Sequence, residues 1–179
     1  MVKIEVKERS RRSAPVGPAE PQAEHLWLEK FLGEWESEGE ADMGPERGSE
    51  ETSGEETVDS LGGLWVVGQG RGTMPDGGEM EYLMILGYDP TDARFIGTWT
   101  GSTMTHQWIY EGDLDDDSDE LTLYAEGPDM SGAGGVTMYK DVHTFTDEDH
   151  RVLRSYMQDK DGGWRQFVEV HYRRRRGDA

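Results

Sequence analysis

The stretch Gln22-Ala23-Glu24-His25-Leu26-Trp27-Leu28-Glu29-Lys30-Phe31-Leu32-Gly33-Glu34-Trp35 decides the fold. Ala23, Trp27 and Phe31 fall four apart, with Leu28 and Leu32 beside them, which makes one apolar helical face. Gly33-Glu34-Trp35 ends that helix. Everything downstream reads as short alternating segments punctuated by Gly and Asp. The spacing predicts strands over Glu34–Ala41, Glu55–Leu61, Leu64–Gly70, Glu79–Tyr88, Arg94–Thr100, Met104–Glu111, Glu120–Glu126, Val136–Phe145, Arg151–Gln158 and Trp164–Arg173. Turn signals such as Asp76-Gly77-Gly78, Asp89-Pro90-Thr91-Asp92 and Thr146-Asp147-Glu148-Asp149 join them. Short connections make consecutive strands antiparallel, and closing such a meander removes both unpaired edges. The expected fold is all-β: a closed antiparallel up-and-down barrel of about ten strands, with the short N-terminal helix capping one end. The strand-poor stretch Asp42–Gly54 is placed as a lid over the open mouth.

Composition bounds the rest. A chain of 179 residues is one domain by length and can bury a real core. Residues 1–21 mix charge with Ser, Pro and Ala and read as a disordered arm. The barrel domain is read as 22–173 and the basic tail as 174–179. The formal charge is −20; the arm through residue 20 carries +2 and residues 173–179 carry +3, so the body between them carries −25. Such a surface repels nucleic-acid phosphates and anionic lipid, so neither is expected as a partner. Few Lys among the basic residues fits either salt adaptation or a very soluble acidic protein. Cys is absent, which excludes disulfides, thiolate metal sites and a Cys nucleophile. No signal-peptide core and no long apolar run is present, so the expectation is a soluble cytoplasmic protein.

Several segments occur in a distinctive order: His25-Leu26-Trp27-Leu28, Gly33-Glu34-Trp35, Ser60-Leu61-Gly62-Gly63-Leu64-Trp65-Val66-Val67, Leu86-Gly87-Tyr88-Asp89-Pro90 and Gly97-Thr98-Trp99. They continue with Met104-Thr105-His106-Gln107-Trp108, Asp149-His150-Arg151-Val152-Leu153, Trp164-Arg165-Gln166-Phe167 and His171-Tyr172-Arg173-Arg174. From His25 to Arg174 the chain resembles the bacterial domain-of-unknown-function 1579 family. The resemblance implies a lipocalin-like, calycin-type barrel and supplies no activity, cofactor or catalytic residue.

Function must therefore be read from the residues. Period-two alternation over Met104–Glu111 puts Met104, His106, Trp108 and Tyr110 on one face, read as the interior. Trp35, Trp65, Trp99, Trp108, Tyr82, Met84, Met104 and Met138 are likewise read as lumen residues. Flat rings and adaptable thioethers suit a lipophilic ligand. The expected site is Trp35, Trp65, Met84, Trp99, Met104 and Trp108, with His106 as polar anchor. It holds a small hydrophobic or aromatic molecule that enters near 42–54. Two alternatives stay open. One is a haem- or metal-binding barrel, or a small enzyme, using His106 as ligand or base. The other is a packed barrel acting through its surface or by forming a homo-oligomer.

The other histidines are weaker candidates. His171 is read as outward, His25 as a surface or hinge residue and His150 as solvated in a charged turn. A site at His143 has no support in the sequence. No metal site is assigned: no His pair has zinc spacing, and Asp113–Ser118 lacks the Gly and Glu of a calcium loop. Arg71 is read as a surface ion-pair partner, and the terminal Arg run as a solvated tail.

Overall fold

The computed structural model describes residues 18–42, 44, 46–74, 77–115, 117–130 and 134–175. The arm before residue 18, its stray strand over Lys3–Lys7, and residues 176–179 lie outside this set. Helix α1 (Ala23–Leu28) runs into a 3₁₀ turn (Glu29–Phe31). Ten strands follow: β1 (Gly33–Asp42), β2 (Ser49–Leu61), β3 (Trp65–Thr73), β4 (Glu79–Asp89), β5 (Arg94–Gly101), β6 (Trp108–Asp115), β7 (Glu120–Pro128), β8 (Val136–Asp147), β9 (His150–Gln158) and β10 (Trp164–Arg174). Each pairs antiparallel with its neighbours in sequence, and β10 pairs with β1 to close the barrel. Among the described residues no helix is long and apolar enough to cross a membrane.

The two ends differ. Turns at the helix end are short, spanning 62–64, 90–93, 116–119 and 148–149. Connections at the far end span 43–48, 74–78, 102–107, 129–135 and 159–163. Apolar spacing explains the helix: Leu28 and Phe31 are fully buried and cap the helix end of the lumen. Phe31 packs edge-on against Phe145 at 5.0 Å and His143 at 5.2 Å, and Trp27 against Phe95 and Phe145. Trp27 Nε1 donates to Asp119 Oδ1 at 2.6 Å, and Lys30 pairs with the same carboxylate. His25 is not on the surface: it is buried, its Nδ1 accepts from the Gln22 N–H, and its ring meets Tyr88.

Gly33-Glu34-Trp35 locks this end. Trp35 is buried and donates from Nε1 to the Phe31 carbonyl at 2.8 Å. The Arg174 guanidinium covers its ring at 4.1 Å and donates to the carbonyls of Leu32, Lys30 and Glu148. Gly33 has φ +116°, a conformation that favours glycine, and a Cβ there would also crowd Arg174 Nη1 at 2.6 Å. Arg174 is therefore a structural clamp ending β10, where a solvated tail was expected.

Three strand expectations shift. β2 begins at Ser49, so among the described residues 49–54 is strand paired with β1, where a lid was expected. The stretch Ser49–Gly54 is polar on both faces because it lies at the open end, so alternation cannot reveal it. β6 begins at Trp108, leaving 102–107 as a rim loop, and extends to Asp115. A bulge between Gln166 and Val168 reverses the phase of β10. Phe167 therefore packs on Tyr139 inside, and Trp164 stands outside against Lys140 and Tyr124.

Candidate functional site

The structure divides the residues predicted to line the site. Val66, Gly68, Met84 and Leu86 are buried on β3 and β4, and Met84 is paired with Trp99, which is paired with Trp108. Met84, Trp99 and Trp108 thus form one row on the inner wall. Trp35 is also inside, but beneath the helix-end lock. Trp65 lies on the opposite face from Val66 and stacks on Gly87 outside the barrel. Met138, paired with the exposed Glu126, is outside as well. In both cases apolar residues on both faces of the strand hide the alternation.

Met104 and His106 sit on the 102–107 loop, not on a strand, so the period-two argument for them does not apply. Met104 Sδ accepts from Trp108 Nε1 at 3.3 Å. His106 is half-buried at the rim: Nε2 contacts the Glu126 carbonyl at 3.1 Å, and the ring meets Trp108 edge-on. It borders a surface depression of about 440 Å³ with Ser102, Thr103 and Pro128. It is not an anchor in the middle of the lumen. A larger open depression of about 740 Å³ borders Thr57, Gln69, Arg71, Leu83, Thr100 and Arg175. These side chains alternate with inward ones, which places it on the outer wall. Arg71 pairs there with Glu55, the surface ion pair expected for it.

The interior holds a polar layer that the sequence did not reveal. Glu56 of β2 and Arg151 of β9, 95 residues apart, form a buried ion pair. Tyr82 Oη donates to Glu56 Oε1 at 3.2 Å and shares a hydrogen bond with Tyr172. Arg151 lies over the Tyr172 ring at 3.7 Å and near Trp35 and Phe31. Across the lumen, Tyr110 Oη donates to Asp141 Oδ2 at 2.6 Å, and Asp141 also bonds Ser155. Arg151 Nε and His143 Nδ1 are buried without a hydrogen-bond partner. No local signal marks Glu56 or Arg151, because each sits among charged neighbours that suggest a solvated strand.

Burial sets the protonation of this layer. It pushes the Tyr82 and Tyr110 hydroxyls well above their usual range, and Tyr172 up to about 12, so all three remain neutral donors. Burial also raises Asp141, against the opposing hydrogen bonds from Ser155 and Tyr110. Burial, with the nearby Arg151 charge, lowers His143 to about 3 and keeps it neutral. The layer thus offers hydroxyls and a neutralised ion pair. Among the described residues no group of three His, Cys, Asp or Glu side chains is placed to hold a metal ion.

On the other side of this layer from the helix, the inner wall is lined with glycine. A Cβ at Gly70 would strike the Tyr82 ring, one at Gly101 the Trp99 ring and one at Gly127 the Trp108 ring, all within 2.5 Å. Each ring therefore lies against the wall over a glycine. Tyr82, Trp99, Asp141 and Val170 face inward yet stay partly exposed.

A closed ten-stranded antiparallel barrel, plugged by a helix at one end and crossed by a polar layer, is a lipocalin-like barrel. The chain belongs to the family described as Protein of unknown function (DUF1579), whose model matches residues 20–174. The crystal structure of Rv2717c from M. tuberculosis is similar at a TM-score of 0.63 and 14% identity, covering 88% of this chain and 100% of that one. At that identity the likeness is one of fold. EF1p2_mFAP2b bound to DFHBI matches at a TM-score of 0.48 and 9% identity, over 84% of this chain and 98% of that one. A de novo designed fluorescence-activating β-barrel matches at a TM-score of 0.45 and 14% identity, over 82% of this chain and 95% of that one. No curated protein matches the chain.

Proposed function

We propose that this barrel binds a small molecule with an apolar or aromatic body and one polar end, in the lumen half away from the helix. The observation that carries this reading is the folding of Tyr82, Trp99 and Trp108 against Gly70, Gly101 and Gly127. Rings laid on the wall form an apolar surface without crossing the space between the strands. Met84, Trp99 and Trp108 would contact the body of the ligand. The Tyr82 and Tyr172 hydroxyls and Asp141 would meet its polar end, since buried polar groups favour a ligand that can pair with them. Met104 and His106 stand at the rim, where they would border entry.

Tryptophan fluorescence tests this with two probes, 1-naphthol and naphthalene. The expected result is one-to-one quenching, with naphthol at least tenfold tighter. Tyr82→Phe should narrow that difference, and Val170→Trp, which fills the lumen, should abolish binding of both. Equal affinities, or binding untouched by Val170→Trp, would reject a lumen site with a polar floor.

A further inference from the structure

On the outer wall of β9 and β10 two imidazoles meet. His150 Nε2 and His171 Nδ1 lie 3.0 Å apart, with the rings inclined by only 20°. The far nitrogen of each ring is already engaged. His171 Nε2 is 3.2 Å from Glu169 Oε1, and His150 Nδ1 is 2.8 Å from Thr146 Oγ1. Arg154 Nε and Gln166 Nε2 both donate to the Glu169 carboxylate, which is therefore the acceptor and His171 Nε2 the donor. The Thr146 hydroxyl lies closer to His150 Nδ1 than to the His150 carbonyl, 2.8 Å against 3.1 Å, and donates to the ring nitrogen. His150 Nε2–H then donates to His171 Nδ1, so one proton holds the two imidazoles together.

A metal ion can replace that single proton, taking both nitrogens as ligands. Metal–nitrogen bonds of about 2.0–2.1 Å spanning this separation subtend roughly 95° at the metal. That is the right angle of a tetragonal sphere, narrower than the tetrahedral angle that structural zinc prefers. Glu169 and Thr146 already supply the hydrogen bonds that orient metal-bound imidazoles. We propose that His150 and His171 form a bidentate outer-wall site for a tetragonal divalent transition ion, Cu(II) foremost, with water completing its coordination. Glu38, across β1 from His171, and Asp147, across β8 from His150, are the further carboxylates paired with the two imidazoles in the strand register.

The test uses the untagged full chain, stripped with EDTA and titrated with Cu(II) by calorimetry and electron paramagnetic resonance. One equivalent should bind with an axial spectrum split by two imidazole nitrogens. His150→Gln and His171→Gln should each weaken binding at least tenfold, and His106→Gln should leave it unchanged. Lack of imidazole splitting in the unmodified protein, or equal affinity in the His150→Gln/His171→Gln double variant, would overturn the site. Neither readout depends on the lumen.

Discussion

The helix end and the open end of this barrel are built from the same ten strands but packed in opposite ways. At the helix end, Leu28, Phe31, Trp35, Phe95 and Leu121 are almost wholly buried, and aromatic edges fill the lumen. At the open end, inward positions are given to glycine, and the rings lie flat on the wall. The polar layer of Glu56, Arg151, Tyr82, Tyr172, Tyr110 and Asp141 divides them. The contrast teaches that ring-on-ring packing and ring-on-glycine packing are separated along the barrel axis, because dispersion contacts and area burial are local.

The layer between the ends should give the largest effect. Arg151→Met leaves Glu56 buried without its partner and should cost about 3–5 kcal/mol in urea unfolding. The double variant Glu56→Leu/Arg151→Met should recover most of that loss, since removing both charges also removes their desolvation. A double variant as unstable as the single one would show that the pair does more than neutralise itself. Next come matched truncations at the two ends. Leu28→Ala should cost about 2–5 kcal/mol, as for a fully buried leucine. Val170→Ala, at a half-exposed inward position, should cost less than about 1.5 kcal/mol by the same reasoning. Equal losses would erase the distinction between a packed and an open end.

His143 gives a pH-dependent version of the same comparison. It is neutral when folded, with its pKa lowered from 6.5 to about 3 by burial and by Arg151. As pH falls below 6.5 the unfolded chain takes up a proton that the folded one refuses. Stability should then drop by about 1.4 kcal/mol per pH unit, with the loss complete near the folded value. Chemical denaturation of His143→Phe between about pH 6.5 and pH 5 should show a slope shallower by that amount. Parallel slopes would mean that His143 is not shielded. A further effect concerns how the plug is fastened. Asp119→Ala removes the acceptor of Trp27 Nε1 and Lys30 and should cost about 1–2 kcal/mol, read as a lower melting temperature with the fold intact.

Much of the architecture is legible in the sequence because it rests on local periodicity. The four-residue spacing of Ala23, Trp27 and Phe31 marks the plug, and Gly33-Glu34-Trp35 marks its junction with β1. Turns such as Asp89-Pro90-Thr91-Asp92 mark the hairpins that order the strands. The site is less legible. Trp99 and Trp108 show their inward direction, since Thr98-Trp99-Thr100 and Trp108-Ile109-Tyr110-Glu111 alternate, whereas Met84 sits in Leu83-Met84-Ile85, which is apolar on both faces. Trp65 does not show its direction either, because Trp65-Val66-Val67 is apolar on both faces. The alternation around His106 imitates a strand where the chain forms a rim loop. Arg174 escapes notice because an Arg run looks like a solvated tail.

Local sequence sufficed to specify a helix closing one end of a ten-stranded antiparallel barrel, since helix and strand periods and turn residues act over a few positions. Which polar side chains meet, inside the barrel and on its wall, was settled by tertiary structure alone. Glu56 meets Arg151, Tyr110 meets Asp141 and His150 meets His171 through strand register and barrel closure. A carboxylate or imidazole shows its role only when the low-dielectric wall and its distant partner are in place.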